Sequence, residues 1–168
     1  IIRTREERLD EAVAGWQEAL GLAREAGDDR LIRMIAHNLG LPHALFGDFD
    51  RASECFRILS EESSLGPEQG AACLNLARIE TLRGEYARAA KLLEDAREIA
   101  HRLHLDSLTA DVCEAEGTLR RETGDLDSAR ECYAQARARF TQLGLHDVLQ
   151  GLAEEEAILA ARCGELDE

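Results

Sequence analysis

A six-residue phrase containing a glycine, acidic residues and an alanine recurs along the chain at a nearly fixed interval. Its full copies begin at Gly47, Gly84 and Gly124, and a truncated copy begins at Gly164. A degenerate first copy at 7–12 lacks the glycine, and successive copies start 40, 37, 40 and 40 residues apart. A fixed period of this length indicates a stack of repeated units and not a single globular core.

The apolar residues predict two helices in each unit. The clearest stripe has apolar residues three or four positions apart, as on one face of a helix: Tyr86, Ala89, Leu93, Ala96 and Ala100. The repeated glycines accept the left-handed backbone that ends a helix, and the acidic residue after each glycine caps the next helix. Because the connections are short, neighbouring helices must run antiparallel. The predicted helices are 5–26, 30–46, 49–62, 67–83, 86–104, 107–123, 126–143 and 147–163.

Small and large residues alternate between the two helices of a unit. Small residues share one position in the first helices: Gly40, Ala77, Gly117 and Ala157. Large residues share one position in the second helices: Trp16, Phe56, Leu93 and Tyr133. We expect the small residues to let backbones approach and the large ones to fill the space between helices.

Charge and composition restrict the possible functions. The 168 residues carry a net charge of −14, so the chain repels phosphate backbones and no nucleic-acid binding is expected. Acidity favours basic partners. No apolar run is long enough to span a membrane, and no signal peptide opens the chain. The five cysteines form no C-x-x-C pair, which is typical of small apolar residues in a reducing cytoplasm.

The ends of the sequence fall inside repeats, and the first residue is not methionine. We therefore expect a single repeat domain over 1–168, cut from a longer cytoplasmic protein. Its units would be 5–26 (second helix only), 30–62, 67–104, 107–143 and 147–163 (first helix only). The end helices would expose apolar surface and could support self-association. All but one of the 20 basic residues are arginine, which suggests a GC-rich, bacterial genome.

The repeated pattern resembles the tetratricopeptide repeat, which has a small residue, a turn glycine, an alanine and an aromatic residue in this order. One unit supplies Gly40, Gly47, Ala52 and Phe56, and another supplies Gly117, Gly124, Ala129, Tyr133 and Ala136. The period of about 40 resembles the long-helix branch, which includes the kinesin light chain, Leu-Gly-Asn repeat proteins and sensor domains of bacterial transcription activators. Asn38-Leu39-Gly40 and Asn75-Leu76-Ala77 resemble the Asn-Leu-Gly/Ala signature of that branch.

This resemblance implies an all-α, right-handed superhelix whose first helices line a concave surface that binds peptides. It also implies that Asn38 and Asn75 bond the backbone of the bound peptide. The chain departs from the family pattern in two ways. The matching asparagine positions further on are Ala115 and Glu155, and the expected aromatic of the first helix is replaced by His43, Glu80 and Arg120.

The predicted concave face is apolar at its beginning and acidic at its end. Its candidate partner-binding residues are Met34, His37, Asn38, Leu41, Asn75, Arg78, Asp111, Glu114, Arg121 and Glu154. The same face also includes Leu45, Ala71, Leu74, Leu82, Thr118, Glu155, Ile158 and Arg162. The hypothesis is a groove whose apolar end anchors side chains and whose acidic end attracts a partner's arginine or lysine. The alternative is an ordinary solvated helix face.

Other candidates point to no chemistry. His101 and His104 are three residues apart on one helix but lack a third ligand, so no metal site is predicted. Arg120 follows Glu116 by four residues, so a helical ion pair is available to them. No nucleophile, phosphate loop or cofactor motif accompanies these carboxylates, so no catalytic residue and no cofactor are expected.

The sequence thus predicts a non-catalytic protein–protein interaction scaffold that binds a peptide or helix. The alternative from another class is a ligand-sensing regulatory domain of a larger bacterial transcription regulator or signalling protein. A spacer without a specific ligand is a third reading.

Overall fold

The described part of the chain folds into eight α-helices and contains no β-strand. This computed structural model describes residues 2–60 and 66–166, and side chains within 13–60 and 66–164. The helices are α1 (Ile2–Ala26), α2 (Asp29–Leu45), α3 (Phe49–Ser60), α4 (Pro67–Leu82), α5 (Tyr86–Arg102), α6 (Asp106–Glu122), α7 (Leu126–Gln142) and α8 (His146–Leu166). The all-α prediction is confirmed. The predicted end of the third helix, at 62, lies outside the described residues.

Three of the repeated glycines end first helices, as predicted. Gly47, Gly84 and Gly124 have φ values of 76°, 77° and 85°, in the left-handed region. At each of these turns the N–H that follows the glycine donates to a carbonyl five residues back, for example from Asp48 to His43 at 2.9 Å. This bond satisfies a carbonyl that the helix itself leaves unpaired, so the turn is closed by the backbone.

The prediction that Gly164 also ends a helix is wrong, because α8 continues through it to Leu166. At the other three glycines the chain returns as a second helix that packs against the first. Glycine permits the left-handed turn but does not by itself stop a helix, and the returning helix supplies the packing that fixes it. Asp167, which completes this truncated copy, lies outside the described residues, as do the side chains of the copy at 7–12.

The acidic residues after the glycines cap second helices where the side chain is short. Asp48 Oδ1 accepts a hydrogen bond from Arg51 N at 3.2 Å, and Asp125 Oδ1 accepts one from Ser128 N at 3.3 Å. Glu85 stands in the corresponding place and makes no side-chain cap bond. An aspartate carboxylate reaches the N–H groups of the first turn from the N-cap position, in agreement with the known preference there.

The chain divides into two compact units, Ile1–Ser63 and Ser64–Glu168. In the first unit, α2 packs against both α1 and α3. In the second unit, α6 packs against α4, α5, α7 and α8, so successive first helices touch one another. The prediction of a single repeat domain over 1–168 stays a prediction.

The alternation of small and large residues sets the distance between paired helices. A Cβ placed on Gly40 would lie 2.5 Å from Phe56 Cε1, a distance that real Cβ atoms do not adopt. The core positions predicted in the second helices are closed to solvent, since Ala52, Ala89 and Ala129 are fully buried. Helix pairs therefore meet through a glycine wherever the opposing residue is aromatic.

Candidate partner-binding face

The outward face of α2, in the first unit, is apolar and open to solvent. Met34, Leu41 and Leu45 are exposed by 50%, 55% and 73%, whereas Ile35 and Leu39 on the same helix are buried. Helix α2 therefore has an inward apolar face toward α1 and α3 and a second apolar face that neither α1 nor α3 covers. Exposed apolar residues that line up in this way are typical of binding surfaces.

Polar side chains of the predicted face are also accessible. His37 and Asn38 are exposed on α2, between Met34 and Leu41. In the second unit, Asn75 on α4 is partly buried. The structure thus leaves the Asn38 amide available to a partner, as the resemblance implies.

The acidic part of the predicted face is tied to arginines of the same chain. Arg78 on α4 donates to Glu114 Oε2 on α6 at 2.6 Å, which links two successive first helices. Burial raises the pKa of Asp111 above its usual value, opposed by the nearby Arg78 and reinforced by Glu114. Arg78 therefore offsets part of the acidic charge that was expected to attract a partner.

Arg121 differs from the prediction, because its side chain is buried and does not line an open groove. It donates to Glu155 on α8 at 2.5 Å and pairs with Glu122 at 3.1 Å. Arg162 of α8 donates to Glu122 Oε2 at 3.1 Å and to the Arg121 carbonyl at 3.2 Å. This network joins α6 to α8 within the second unit, so these residues act in packing between successive first helices.

The hydroxyl of Tyr133 completes this network from α7. It lies 3.1 Å from Thr118 Oγ1 and donates to Glu155 Oε2 at 3.3 Å. Burial is the largest cause that raises the pKa of Tyr133 to about 12, so the phenol stays protonated and able to donate. Glu154, the remaining acidic candidate, is exposed.

Two ion pairs between second and first helices were missed by the sequence reasoning. Glu116 pairs with Arg97 of α5, and not with Arg120, which donates to Asp125 at 3.3 Å instead. Glu156 of α8 pairs with Arg137 of α7, whose Nε donates to it at 3.0 Å. Arg97 and Arg137 are 40 residues apart, and so are Glu116 and Glu156. This shared repeat period was the sequence signal that could have predicted both ion pairs.

A groove of about 1140 Å³ lies on the second-helix side of the second unit. Residues of α5 and α7 form its walls, and residues of α6 form its floor. Its lining is mixed in charge and includes Arg97 and Glu116, together with His101, His104 and Arg139. His104 is the one non-glycine residue with positive φ in the part of the chain that the structure describes, at 54°. Five other turns, from Gly27 to Gly144, use glycine for this conformation.

None of the five cysteines is in a disulfide, and three of them are buried: Cys55, Cys73 and Cys113. Burial raises the pKa of the Cys55 and Cys73 thiols to about 11, so both are protonated and weakly nucleophilic near neutral pH. Within the described ranges, no three His, Cys, Asp or Glu side chains are placed to hold a metal ion. None of the described helices is both long and apolar enough to cross a membrane.

Comparison with known proteins supports the fold. No family model matches the chain, and no curated protein matches it either. The structure is similar to the crystal structure of BtubC (BKLC) from P. vanneervenii, with a TM-score of 0.60 and 20% sequence identity. The fold is a helical repeat. The prediction of a helical-repeat architecture is confirmed.

The similarity to BtubC covers only part of each chain. The match covers 81% of this chain and 58% of BtubC. At 20% identity, the likeness concerns the helical-repeat fold alone.

Proposed function

We propose that this helical repeat is a non-catalytic protein-interaction module that binds a partner peptide or helix on its first-helix face. The observation that carries the proposal is the exposed apolar face of α2, formed by Met34, Leu41 and Leu45. Burying such residues in a complex would contribute about 25 cal/mol for each Å² of apolar surface removed from water, against which the entropy lost on association is set.

The other candidate residues contribute differently to this proposal. Asn38 and His37 are accessible beside the apolar residues and can add hydrogen bonds to a partner. Arg78, Glu114 and Arg121 are engaged within the chain, so their contribution is to hold successive first helices together. The partner contact is therefore centred on the first unit.

A capture experiment tests this function. The whole chain, a Leu41→Glu variant and a Leu22→Glu variant are immobilised, and proteins retained from an extract of the source organism are compared. Leu22 is also exposed but lies on α1, so it is a matched control. Proteins that bind the unchanged chain and the Leu22 variant, but not the Leu41 variant, support the proposal. A chain that retains nothing above background would be a spacer.

A second candidate function is ligand sensing, which the groove between α5 and α7 favours. Its volume of about 1140 Å³ lies slightly above the range usual for small-molecule sites, and its walls supply both cations and anions. A panel of charged metabolites that raises the melting temperature of the chain, but not of an Arg139→Ala variant, would support it. In that case Leu41→Glu, on the first-helix face, would leave the ligand-induced rise in melting temperature unchanged.

A further inference from the structure

We infer that Cys113 of α6 and Cys132 of α7 are a redox-active pair, which exchange with a low-molecular-weight disulfide converts into a reversible bond between the two helices. This modification site lies in the second unit. It is separate from the α2 face of the proposed function and does not depend on it.

The cysteines of the helix pairs fall on two positions of the repeat. The first position lies four residues before the small residue of a first helix, and the second lies directly before the large residue of a second helix. The residues at these two positions are Ala36 and Cys55 in α2 and α3, Cys73 and Leu92 in α4 and α5, and Cys113 and Cys132 in α6 and α7. Cysteine therefore occupies both positions in the last of these helix pairs and one position in each of the others.

The packing of α6 on α7 brings the two positions together. Cys113 is buried in the core cluster that contains Ala129 and Ala136 of α7. Cys132 lies three residues after Ala129 and four before Ala136, so these three residues share one side of α7. Cys113 therefore lies against the two turns of α7 in whose middle Cys132 stands.

The two helices also approach each other closely at this level. Gly117, one turn after Cys113, leaves no room for a Cβ against the ring of Tyr133, the residue that follows Cys132. A disulfide requires two Cα atoms no more than about 7 Å apart, which only closely packed helices allow.

Both cysteines line the groove between α5 and α7. Cys132 is partly exposed there, whereas Cys113 is 7% exposed. Burial is the largest cause that raises the pKa of Cys132, and the neighbouring Cys113 is the next, while Arg120 and Arg97 act against them. The electrostatic effect of one sulfur on the other is that of near neighbours, and the groove gives a small oxidant access to Cys132.

The reaction consists of two thiol–disulfide exchanges. The Cys132 thiolate attacks one sulfur of a glutathione-type disulfide, whose S–S bond breaks, and one small thiol leaves and takes up the proton that Cys132 released. The Cys113 thiolate then attacks Cys132 Sγ, and the second small thiol leaves with the other proton. Two electrons pass from the cysteine pair to the small disulfide, and excess small thiol reverses both steps. The bond ties the α7 wall of the groove to its α6 floor.

The test uses the whole chain under native conditions at mildly alkaline pH, with oxidised glutathione as the oxidant. After incubation the chain is unfolded, alkylated with iodoacetamide and weighed by mass spectrometry. Of the five cysteines, we expect two to resist alkylation without bound glutathione. A tryptic digest should contain one pair of peptides linked through Cys113 and Cys132, and excess reduced glutathione should remove this link.

Matched variants carry the residues that other repeats have at the same positions, so each is compatible with a helix pair. Cys113→Ala copies Ala36, and it should stop at the mixed disulfide with glutathione on Cys132. Cys132→Leu copies Leu92, and it should form no internal disulfide. Cys55→Leu changes the same repeat position in the first unit, and it should form the bond as the unchanged chain does.

The melting temperature distinguishes a native pair from a link that forms in the unfolded chain. A disulfide that closes a loop of about 20 residues should raise the melting temperature of the oxidised chain by about 5–10 °C. The inference is rejected if all five cysteines stay free, if the internal disulfide still forms in either the Cys113 or the Cys132 variant, or if oxidation does not raise the melting temperature. Rejection would leave the interaction function standing, since Leu41→Glu tests a different surface.

Discussion

The ring of Tyr133 occupies the space that a side chain on Gly117 would need: a Cβ placed there would lie 2.5 Å from Tyr133 Cδ1. Tyr133 is fully buried and cannot swing away. The equivalent pair of the preceding repeat is Ala77 with Leu93, which belong to one core cluster. In that repeat the residue of the first helix is larger than Gly117, and the residue opposite it in the second helix is smaller than Tyr133.

Replacing Gly117 by alanine should therefore destabilise the protein, although alanine is the better helix former. We expect a loss of about 1–3 kcal/mol from overpacking. Adding Tyr133→Leu should relieve the overlap, because it reproduces the Ala77 and Leu93 pair, and Tyr133→Leu alone measures the separate cost of losing the hydroxyl bonds to Thr118 and Glu155. Equilibrium unfolding in urea measures both. Gly151→Ala is the control, since nothing lies within 4 Å of the added Cβ and the helix should gain stability. A neutral Gly117→Ala variant would contradict the packing argument.

Replacing His104 by glycine should stabilise the protein. A left-handed conformation costs a non-glycine residue about 1–2 kcal/mol, while glycine adds backbone entropy to the unfolded chain. The net gain should be up to about 1 kcal/mol in urea unfolding. Gly144→Ala, at the equivalent turn after α7, should lower stability instead. If His104→Gly is destabilising, the imidazole makes contacts that outweigh the backbone strain.

The pair of Arg97 and Glu116 should be coupled in a double-mutant cycle. The Glu116 side chain is 17% exposed and Arg97 is 56% exposed, so removing the arginine leaves a mostly buried carboxylate without its cation. We expect Arg97→Met to cost about 1 kcal/mol, and the double change with Glu116→Met to cost less. Added salt should reduce the difference. Lys91→Met, on the same helix, serves as a control because the Lys91 pairs are exposed.

His43 should make the protein less stable below neutral pH. Burial is the largest cause that lowers the pKa of His43, with a smaller lowering from Arg51 and opposing effects from Asp48 and Glu54. Above about pH 6.5 the imidazole is neutral in both states and contributes nothing. As pH falls below that value, the unfolded chain takes up a proton that the folded chain resists, so stability is lost.

The measurement for His43 is urea unfolding between pH 5 and 8, compared with a His43→Gln variant. The variant should lose less stability on acidification than the unchanged chain. A His43→Gln variant that loses stability on acidification as steeply as the unchanged chain would contradict this prediction.

The sequence predicted the helices and their pairing because these depend on local signals. Gly84 and the periodic apolar residues of α5 act within a few positions, and Gly117 with Tyr133 follows from a spacing that recurs. The sequence offered Arg120 as a helical partner for Glu116, whereas the observed partner, Arg97, belongs to another helix. A long arginine side chain can reach any of the helices packed beside its own, and no local sequence pattern specifies which one it contacts.

The candidate face was predictable only in part for a similar reason. Met34, Leu41 and Asn38 could be placed on an outward face from helical periodicity, and the structure exposes all three. Arg121 was assigned to the same kind of face, but it is buried beneath α8. The crossing angle between α6 and α8 decides which residues at the edge of their contact become buried. A single sequence does not specify that angle.

The ion pairs that recur every 40 residues make the second unit extensible. A duplicate of segment 106–145 inserted after itself would offer its own copy of Glu116 to Arg137, and its own copy of Arg137 to Glu156. These two ion pairs would form with side chains already present. The contact between successive first helices would not be reproduced, because the first Arg121 would meet the copy's Ala115 where it now meets Glu155. A longer array would therefore keep the joint between second and first helices and need new residues where first helices meet.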